Sequence, residues 1–245
     1  MKKDIVYSFE RYEKKYFITE FQKNAFLKRI GDYIKPDDYG KYTVCNIYYD
    51  TDDWRIIRKS LEKPVYKEKL RVRSYGVPSN DGTVFAELKK KYKGIVYKRR
   101  ITETADGVEN FLNGFNNYED LSQIGKEIHR FQEFYKSVPK VFIGYDRTAF
   151  SGKLDESIRI TFDTDIRWRN TDLDLRLGDY GNPLLNDSRI LMEIKTAGVY
   201  PLWLAHALSD IAVFPCSFSK YGTCYNRFLA VPNSINISKE AHLCA

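Results

Sequence analysis

The sequence predicts an α+β fold in which eight mostly antiparallel strands close into a barrel with helices packed outside it. Three observations point there. Short runs rich in β-branched and aromatic residues, bounded by turn residues, recur along the chain. Stretches of helical period interrupt these runs without dividing the chain. Basic residues recur at every second position within several runs, as Lys69, Arg71 and Arg73 in KEKLRVRSYG and Lys98 and Arg100 in VYKRRIT. Side chains two apart in a strand share a face.

The first strand is read at Glu10–Phe17. Thr19 followed by Gln22 has the form of a capping box, and Phe21, Ala25, Phe26 and Ile30 give the next helix its apolar stripe. Pro36 and the Asp-rich turn are read as its end. Thr43–Tyr49 alternates and forms a second strand, and Asp52–Ser60 a short helix. Strands follow at Val65–Tyr75, Val84–Tyr92 and Ile95–Thr102, the last two joined by a tight Lys93-Gly94 hairpin. Helices are placed at Asp106–Phe115 and Tyr118–Lys136. Pro139–Phe150 and Ser157–Trp168 form an antiparallel pair, Leu173–Asn186 a loop or excursion, and Arg189–Thr196 the eighth strand. Pro201 opens a helix whose face is Leu204, Leu208, Ile211 and Ala212. Residues 1–232 read as a single domain and residues 233–245 as a tail with little pattern.

Hydrophobic residues make up 43% of the 245, enough for a core. Lys plus Arg is 40 against 33 acids, a net charge of +7, which favours anionic partners without naming one. Cys45, Cys216, Cys224 and Cys244 have neither zinc-knuckle nor redox-motif spacing, so reduced thiols and a cytoplasmic location are expected. The N-terminus has no apolar signal region, and no apolar run approaches the roughly 18 residues of a membrane span. His129, His206 and His242 have no metal-ligand spacing.

Cations on one face of several strands repel one another unless acids or bound anions offset them. In a closed barrel that face becomes a lumen, for which a polyanion is the natural occupant. Lys67 and Lys69 read more readily as a solvated strand face, and Lys90, Lys91 and Lys93 as hairpin-tip charge. Asp163 reads as a turn or strand-end acid, and the tyrosines as core.

Several short motifs occur in order: Arg11-Tyr12-Glu13-Lys14-Lys15-Tyr16, LRVR at Leu70–Arg73, ELK at Glu87–Lys89, and YDRTAF at Tyr145–Phe150. RITFDT at Arg159–Thr164, MEIK at Met192–Lys195 and FSKY at Phe218–Tyr221 follow. In this order, from about residue 8 to residue 232, the chain resembles the catalytic domain of the vacuolar transporter chaperone (VTC) type, within the triphosphate tunnel metalloenzyme superfamily. The resemblance implies a tunnel for triphosphate or polyphosphate. It carries phosphate-binding roles to Lys15, Arg71, Arg73, Lys89, Lys98, Arg147, Arg159 and Lys220, and a metal-binding role to Glu193, for Mn²⁺ or Mg²⁺. Arg100 shares the face of Lys98, and Lys195 that of Glu193. Arg11, Glu13 and Glu87 are secondary candidates.

Relatives with this signature extend inorganic polyphosphate from the γ-phosphate of ATP. Triphosphatases of the superfamily usually open with Glu-x-Glu-x-Lys, where this chain has Arg11, Glu13 and Lys15. A cation in place of the first acid weakens water activation and favours phosphate binding. Ser217 stands where eukaryotic polymerases often carry lysine. The sequence-based expectation is a metal-dependent polyphosphate polymerase. The alternatives are a tripolyphosphatase or nucleoside triphosphatase of the same fold, and a polyphosphate-binding module without turnover. Catalytic weight is expected on Lys15, Arg71, Arg73, Lys89, Arg147, Arg159 and Glu193, with ATP and inorganic polyphosphate or triphosphate as partners. No nucleic-acid partner is expected, because the basic face reads as enclosed.

Overall fold

A strand that is apolar on one face and charged on the other separates core from site by parity alone. The third strand of the structure shows this: Leu70 and Val72 are buried against helices, while Lys69, Arg71 and Arg73 turn to the opposite face. The structure is a computed structural model that describes residues 12–93, 95–114 and 118–230. Its strands are β1 (Tyr12–Ile18), β2 (Ile34–Asp50), β3 (Tyr66–Tyr75), β4 (Thr83–Tyr92), β5 (Ile95–Thr104), β6 (Val138–Gly152), β7 (Arg159–Arg169), the two-residue β8 (Asn182–Pro183) and β9 (Ile190–Thr196). Its helices are α1 (Glu20–Ile30), α2 (Arg55–Leu61), α3 (Ala105–Leu112), α4 (Gln123–Tyr135), α5 (Leu202–Asp210) and α6 (Lys220–Cys224), the last continuing as a π-helical turn over Tyr225–Leu229.

All the strands belong to one sheet of order β1-β9-β7-β6-β2-β3-β4-β5, with β8 paired to β7, and every ladder is antiparallel. The expected closed barrel is not formed. Among the described residues β1 and β5 remain the two ends of the sheet, with no ladder between them. A physical reason lies at the outer edge of β1. There the Cys216 amide donates to the Lys15 carbonyl at 2.7 Å, so a loop segment takes the backbone groups that closure would need. β5 ends the other side with Lys98 and Arg100, and charged edges discourage further pairing.

Two apolar layers lie outside the sheet. Phe26 and Ile30 of α1 and Leu204 and Leu208 of α5 cover Ile160, Phe162, Met192 and Ile194. Val108 and Phe111 of α3 and Ile128 and Phe131 of α4 cover Leu70, Val72, Ala86 and Leu88. A third cluster sits on the inner face, where Ile57 of α2 and Tyr221 and Cys224 of α6 pack on Val44, Val141, Ile143 and Leu191. Each fully buried side chain of this size contributes about 1.5–3 kcal/mol. This cluster plugs one end of the inner face and leaves the rest to polar side chains. The buried Asp50 carboxylate fastens the plug. It accepts from the Ile56 and Ile57 amides at 2.9 Å, at the start of α2, and from the Tyr221 hydroxyl at 2.7 Å.

The Thr19–Gln22 capping box opens α1 as expected, with the Thr19 hydroxyl accepting from the Gln22 amide and the Gln22 side chain from the Thr19 amide. Pro36 does not end that helix. α1 stops at Ile30, and Pro36 lies in β2, opposite Phe150. That part of β2 pairs on one side only, where a missing N–H is tolerated. A register shift between Pro36 and Lys41 then extends β2 well past the Thr43–Tyr49 expected from alternation. The stretch from Tyr118 is a 3₁₀ turn, Tyr118–Asp120, before α4 starts at Gln123 behind a Ser122 cap. The FSKY motif, read without an element, provides the start of α6. Arg11, the beginning of the first strand, Gly94, Phe115 and the tail at 233–245 lie outside the described residues. No helix among the described residues is long and apolar enough to cross a membrane.

Candidate functional site

On the inner face three buried carboxylates gather cations into two rings. Glu87, on β4, is 1% exposed. Its Oε2 receives Arg71 Nε at 2.8 Å, and its Oε1 receives Lys98 Nζ at 2.8 Å and Arg100 Nε at 2.9 Å. Arg73 Nε stands 3.9 Å away and donates to the Asn46 side-chain oxygen at 2.9 Å. Register explains the convergence: Arg71 and Arg100 are the cross-strand neighbours of Glu87 on its two sides. Burial alone would raise the Glu87 pKa, but the cations, led by Arg71, hold it well below the usual carboxylate range.

The second ring surrounds Asp163 of β7 and Glu193 of β9. Arg147 makes a two-pronged contact with Asp163, at 2.6 and 2.8 Å, and Lys220 Nζ donates to Asp163 at 2.6 Å. Glu193 lies 3.3 Å from Lys15 Nζ, 3.4 Å from Lys220 Nζ, and 3.8 Å from both Lys195 Nζ and Arg147 Nη2. Burial opposes its ionisation, yet Lys220, Lys15, Lys195 and Arg147 together keep its pKa well below normal. Burial pushes the Lys220 pKa down, but Asp163 and Glu193 outweigh it and the ammonium is held charged. Lys15 also donates to the Phe218 carbonyl at 3.0 Å, which ties β1 to the segment leading into α6. Glu13, beside Lys15 and Lys195 on this face, has its pKa lowered; burial opposes the shift, and Lys195 is the leading cause in its favour.

A row of lysines begins in the first ring and crosses the sheet beside it. Lys69, Lys89 and Lys98 are direct cross-strand neighbours on β3, β4 and β5. Among the described residues Lys98 pairs with Glu87, whereas Lys69 and Lys89 make no ion pair; Lys69 rests 5.7 Å from the Tyr221 ring centre. Like charges directly opposite one another are destabilising. Burial is the main cause that brings the Lys69 and Lys98 pKa values down to about 8. Lys89 keeps solvent contact, but it too is lowered, by desolvation and then by Arg71, Lys15 and Lys195 against the pull of Glu13. Lys89 and Glu13 come from opposite sides of the open sheet, so the inner face curls until its two halves face each other.

Most of the residues marked in the sequence therefore meet on one surface. Arg159 stands apart at its rim, 46% exposed and paired with Asp37 at 3.1 Å, although it shares the face of Lys195, its cross-strand neighbour. Ser217 is exposed on the segment beside β1, next to Phe218. Several site residues escaped sequence reasoning. Asp163 is a fully buried anchor, not a strand-end acid, and Lys69 is half-buried in the site instead of solvated. Tyr48 and Tyr145 are not plain core: their hydroxyls accept from Arg71 and Arg73, each at 3.3 Å. Burial would raise both phenol pKa values, but neighbouring guanidiniums, Arg71 and Arg73 foremost, lower them. The parity of Lys69 with Arg71, and of Asp163 with Arg159, was the signal available in the sequence.

No group of three His, Cys, Asp or Glu among the described residues could hold a metal ion by itself. Glu193 fits a hard divalent cation as one ionised oxygen donor, and the remaining ligands would have to be substrate oxygens and water.

The fold has counterparts among solved structures. A candidate adenylate cyclase from Bacillus halodurans matches with a TM-score of 0.52 at 13% identity, over 89% of this chain and 96% of that one. A candidate adenylyl cyclase from Hippeastrum, described as having a dominant triphosphatase activity, matches with a TM-score of 0.48 at 14% identity, over 90% and 97% of the two chains. At 13% identity the likeness to the Bacillus halodurans protein is one of fold. No curated protein matches the sequence. A family model described as the VTC domain matches residues 10–229, the span that holds both carboxylate rings and the lysine row, and the chain belongs to that family.

Proposed function

We propose that the inner face binds a phosphate chain and transfers a phosphoryl group along it, extending inorganic polyphosphate from the γ-phosphate of ATP. The observation that carries this reading is the row of Lys69, Lys89 and Lys98 beside the cation-ringed carboxylates, with two of the three ammoniums unpaired among the described residues. Such a row costs stability until an anion neutralises it. A phosphate chain supplies negative charge at the regular intervals the row requires.

Phosphoryl transfer asks the protein for positioning and charge neutralisation more than for covalent chemistry. In the reaction the bond from the γ-phosphorus to its bridging oxygen breaks, and ADP leaves with the electron pair. A terminal oxygen of the acceptor chain forms the new P–O bond. The acceptor is already an anion, so no side chain has to remove a proton. Arg71, Arg73 and Arg147 present forked donors to nonbridging oxygens, and Lys15, Lys89, Lys98, Lys195 and Lys220 add point charges that stabilise both chain and leaving group. Arg159 and Arg100 serve the ends of the path. A divalent ion, Mn²⁺ or Mg²⁺, held by Glu193 and substrate oxygens would add further neutralisation of the phosphate oxygens.

Transfer to phosphate is favoured over hydrolysis by the state of the acids. Glu13, Glu87, Asp163 and Glu193 are all engaged by lysine or arginine. With pKa values held below normal, they are weak bases for drawing a proton from water. The test is incubation of the purified chain with ATP and Mn²⁺, with products resolved by gel and by phosphate release. Long chains are expected. Free phosphate alone would replace the reading with hydrolysis, and no turnover with retained polyphosphate binding would leave a binding module. Glu193→Gln is expected to abolish turnover while polyphosphate binding stays measurable, and Arg71→Ala to weaken both. Full activity of Glu193→Gln with intact metal dependence would remove the role assigned to that carboxylate.

A further inference from the structure

We propose that the rim of the inner face beside β2 and β3 is a nucleobase subsite, which takes the purine ring of a nucleoside triphosphate while the neighbouring cations take its phosphates. This rests on the phosphate-chain reading above and deepens it by naming the donor's recognition element. Four aromatic rings line the rim in successive edge-to-face contacts. Tyr39 meets Tyr42 with centroids 6.2 Å apart, Tyr42 meets Tyr75 at 5.7 Å, and Tyr75 meets Phe85 at 5.7 Å. Register joins this row to the cations. Tyr42 is the cross-strand neighbour of Arg147, Phe85 that of Arg73, and Tyr75 lies two residues beyond Arg73 on β3. Arg100 stacks its guanidinium 4.4 Å from the Phe85 centroid, and the Tyr39 amide donates to Asp37, the partner of Arg159. The rings therefore begin where the phosphate-binding side chains end.

Tyr42 packs against the inner apolar cluster, but packing does not account for the other three rings. Tyr39, Tyr75 and Phe85 belong to none of the three apolar clusters, and Tyr39 and Tyr75 are 77% and 51% exposed. Two residues of strand span about 6.7 Å, room for a sugar between a ring stacked at Tyr75 and a first phosphate at Arg73. Every base offers a π-face, so stacking is tolerant of base identity, while a purine covers more ring area than a pyrimidine. The predicted ligand class is thus a purine nucleoside triphosphate, with pyrimidine nucleotides weaker and inorganic triphosphate indifferent to the rings.

The test compares dissociation constants of the wild-type chain, Tyr39→Ala and Tyr75→Ala for ATP, CTP and inorganic triphosphate. Calorimetry in EDTA keeps phosphoryl transfer from intervening. Tyr75→Ala is expected to weaken ATP about tenfold, CTP by less, and triphosphate by under twofold. Tyr39→Ala, at an exposed position, is expected to move ATP in the same sense with the melting temperature unchanged. A purely structural role for the rings would lower stability and weaken ATP and triphosphate equally, or leave ATP binding unaltered, and either result overturns the subsite while the phosphate site stands. Failure of the wild-type chain to bind triphosphate at all would overturn both.

Discussion

Glu87→Gln is expected to lower stability by about 3–5 kcal/mol, because removing one partner of a buried ionic cluster leaves the others uncompensated. In a chain of this size that is a drop of about 10 °C in melting temperature. The substitution preserves shape and removes the one charge around which Arg71, Lys98 and Arg100 converge, with Arg73 beside them. The same variant carries a functional signature. With the internal anion gone, a bound phosphate becomes the substitute counter-ion, so inorganic triphosphate should raise the melting temperature of Glu87→Gln by more than it raises that of the wild type. Equal stabilisation of the two proteins would mean that phosphate does not occupy the ring around Glu87. The acid limb follows from the same carboxylate. Its folded pKa is depressed, so its contribution is fully present above the ordinary carboxylate range and is lost as pH falls through the depressed folded value.

The lysine row gives the second large effect, with the opposite sign. The Lys69 and Lys98 pKa values of about 8 lie below the value near 10.5 of an unfolded lysine. Between those values the unfolded chain binds more protons, so stability rises with pH across that window. Below pH 8 the charged row imposes its full cost. A bound phosphate chain reverses the preference, because it favours the protonated ammoniums. Affinity for inorganic triphosphate should be greatest below pH 8 and fall by about tenfold or more between pH 7.5 and 9.5, with proton uptake on binding in that interval. The ligand only gains charge as pH rises, so a falling affinity reports on the protein. Calorimetry in buffers of different ionisation enthalpy counts the protons. Lys69→Gln should bind more weakly at pH 7.5, lose part of the pH dependence and gain stability at neutral pH. A pH-independent affinity in the wild type would show that these ammoniums do not meet the ligand.

What sequence could reveal here was local and periodic. The parity of Lys69, Arg71 and Arg73 put three cations on one face, and the Thr19–Gln22 box located the start of α1. Glu87 and Lys89 share parity as well, so the composition of the β4 face was legible. Sheet closure was not, because it depends on which backbone groups lie free at the edges of β1 and β5. The Cys216 segment that takes the β1 edge follows it by about 200 residues in the chain. The same limit hid Asp163: its burial comes from Arg147 on β6 and Lys220 at the start of α6, two elements no period connects. Pro36 misled for a related reason. Proline ends helices in general, but one-sided pairing of β2 gave it a place in a strand.

The central claim, that the inner face and not the general positive charge of the surface holds the phosphate chain, is tested by two charge-matched double variants. Arg71→Gln with Lys89→Gln removes two cations from the inner face. Lys28→Gln with Lys59→Gln removes two from exposed positions on α1 and α2. Dissociation constants for inorganic triphosphate are then measured at one ionic strength. The inner pair is expected to weaken binding by about 100-fold, in keeping with the loss of charge-assisted contacts, and the outer pair by less than threefold under physiological screening. Equal losses from the two pairs would place the ligand on the outside and contradict the account.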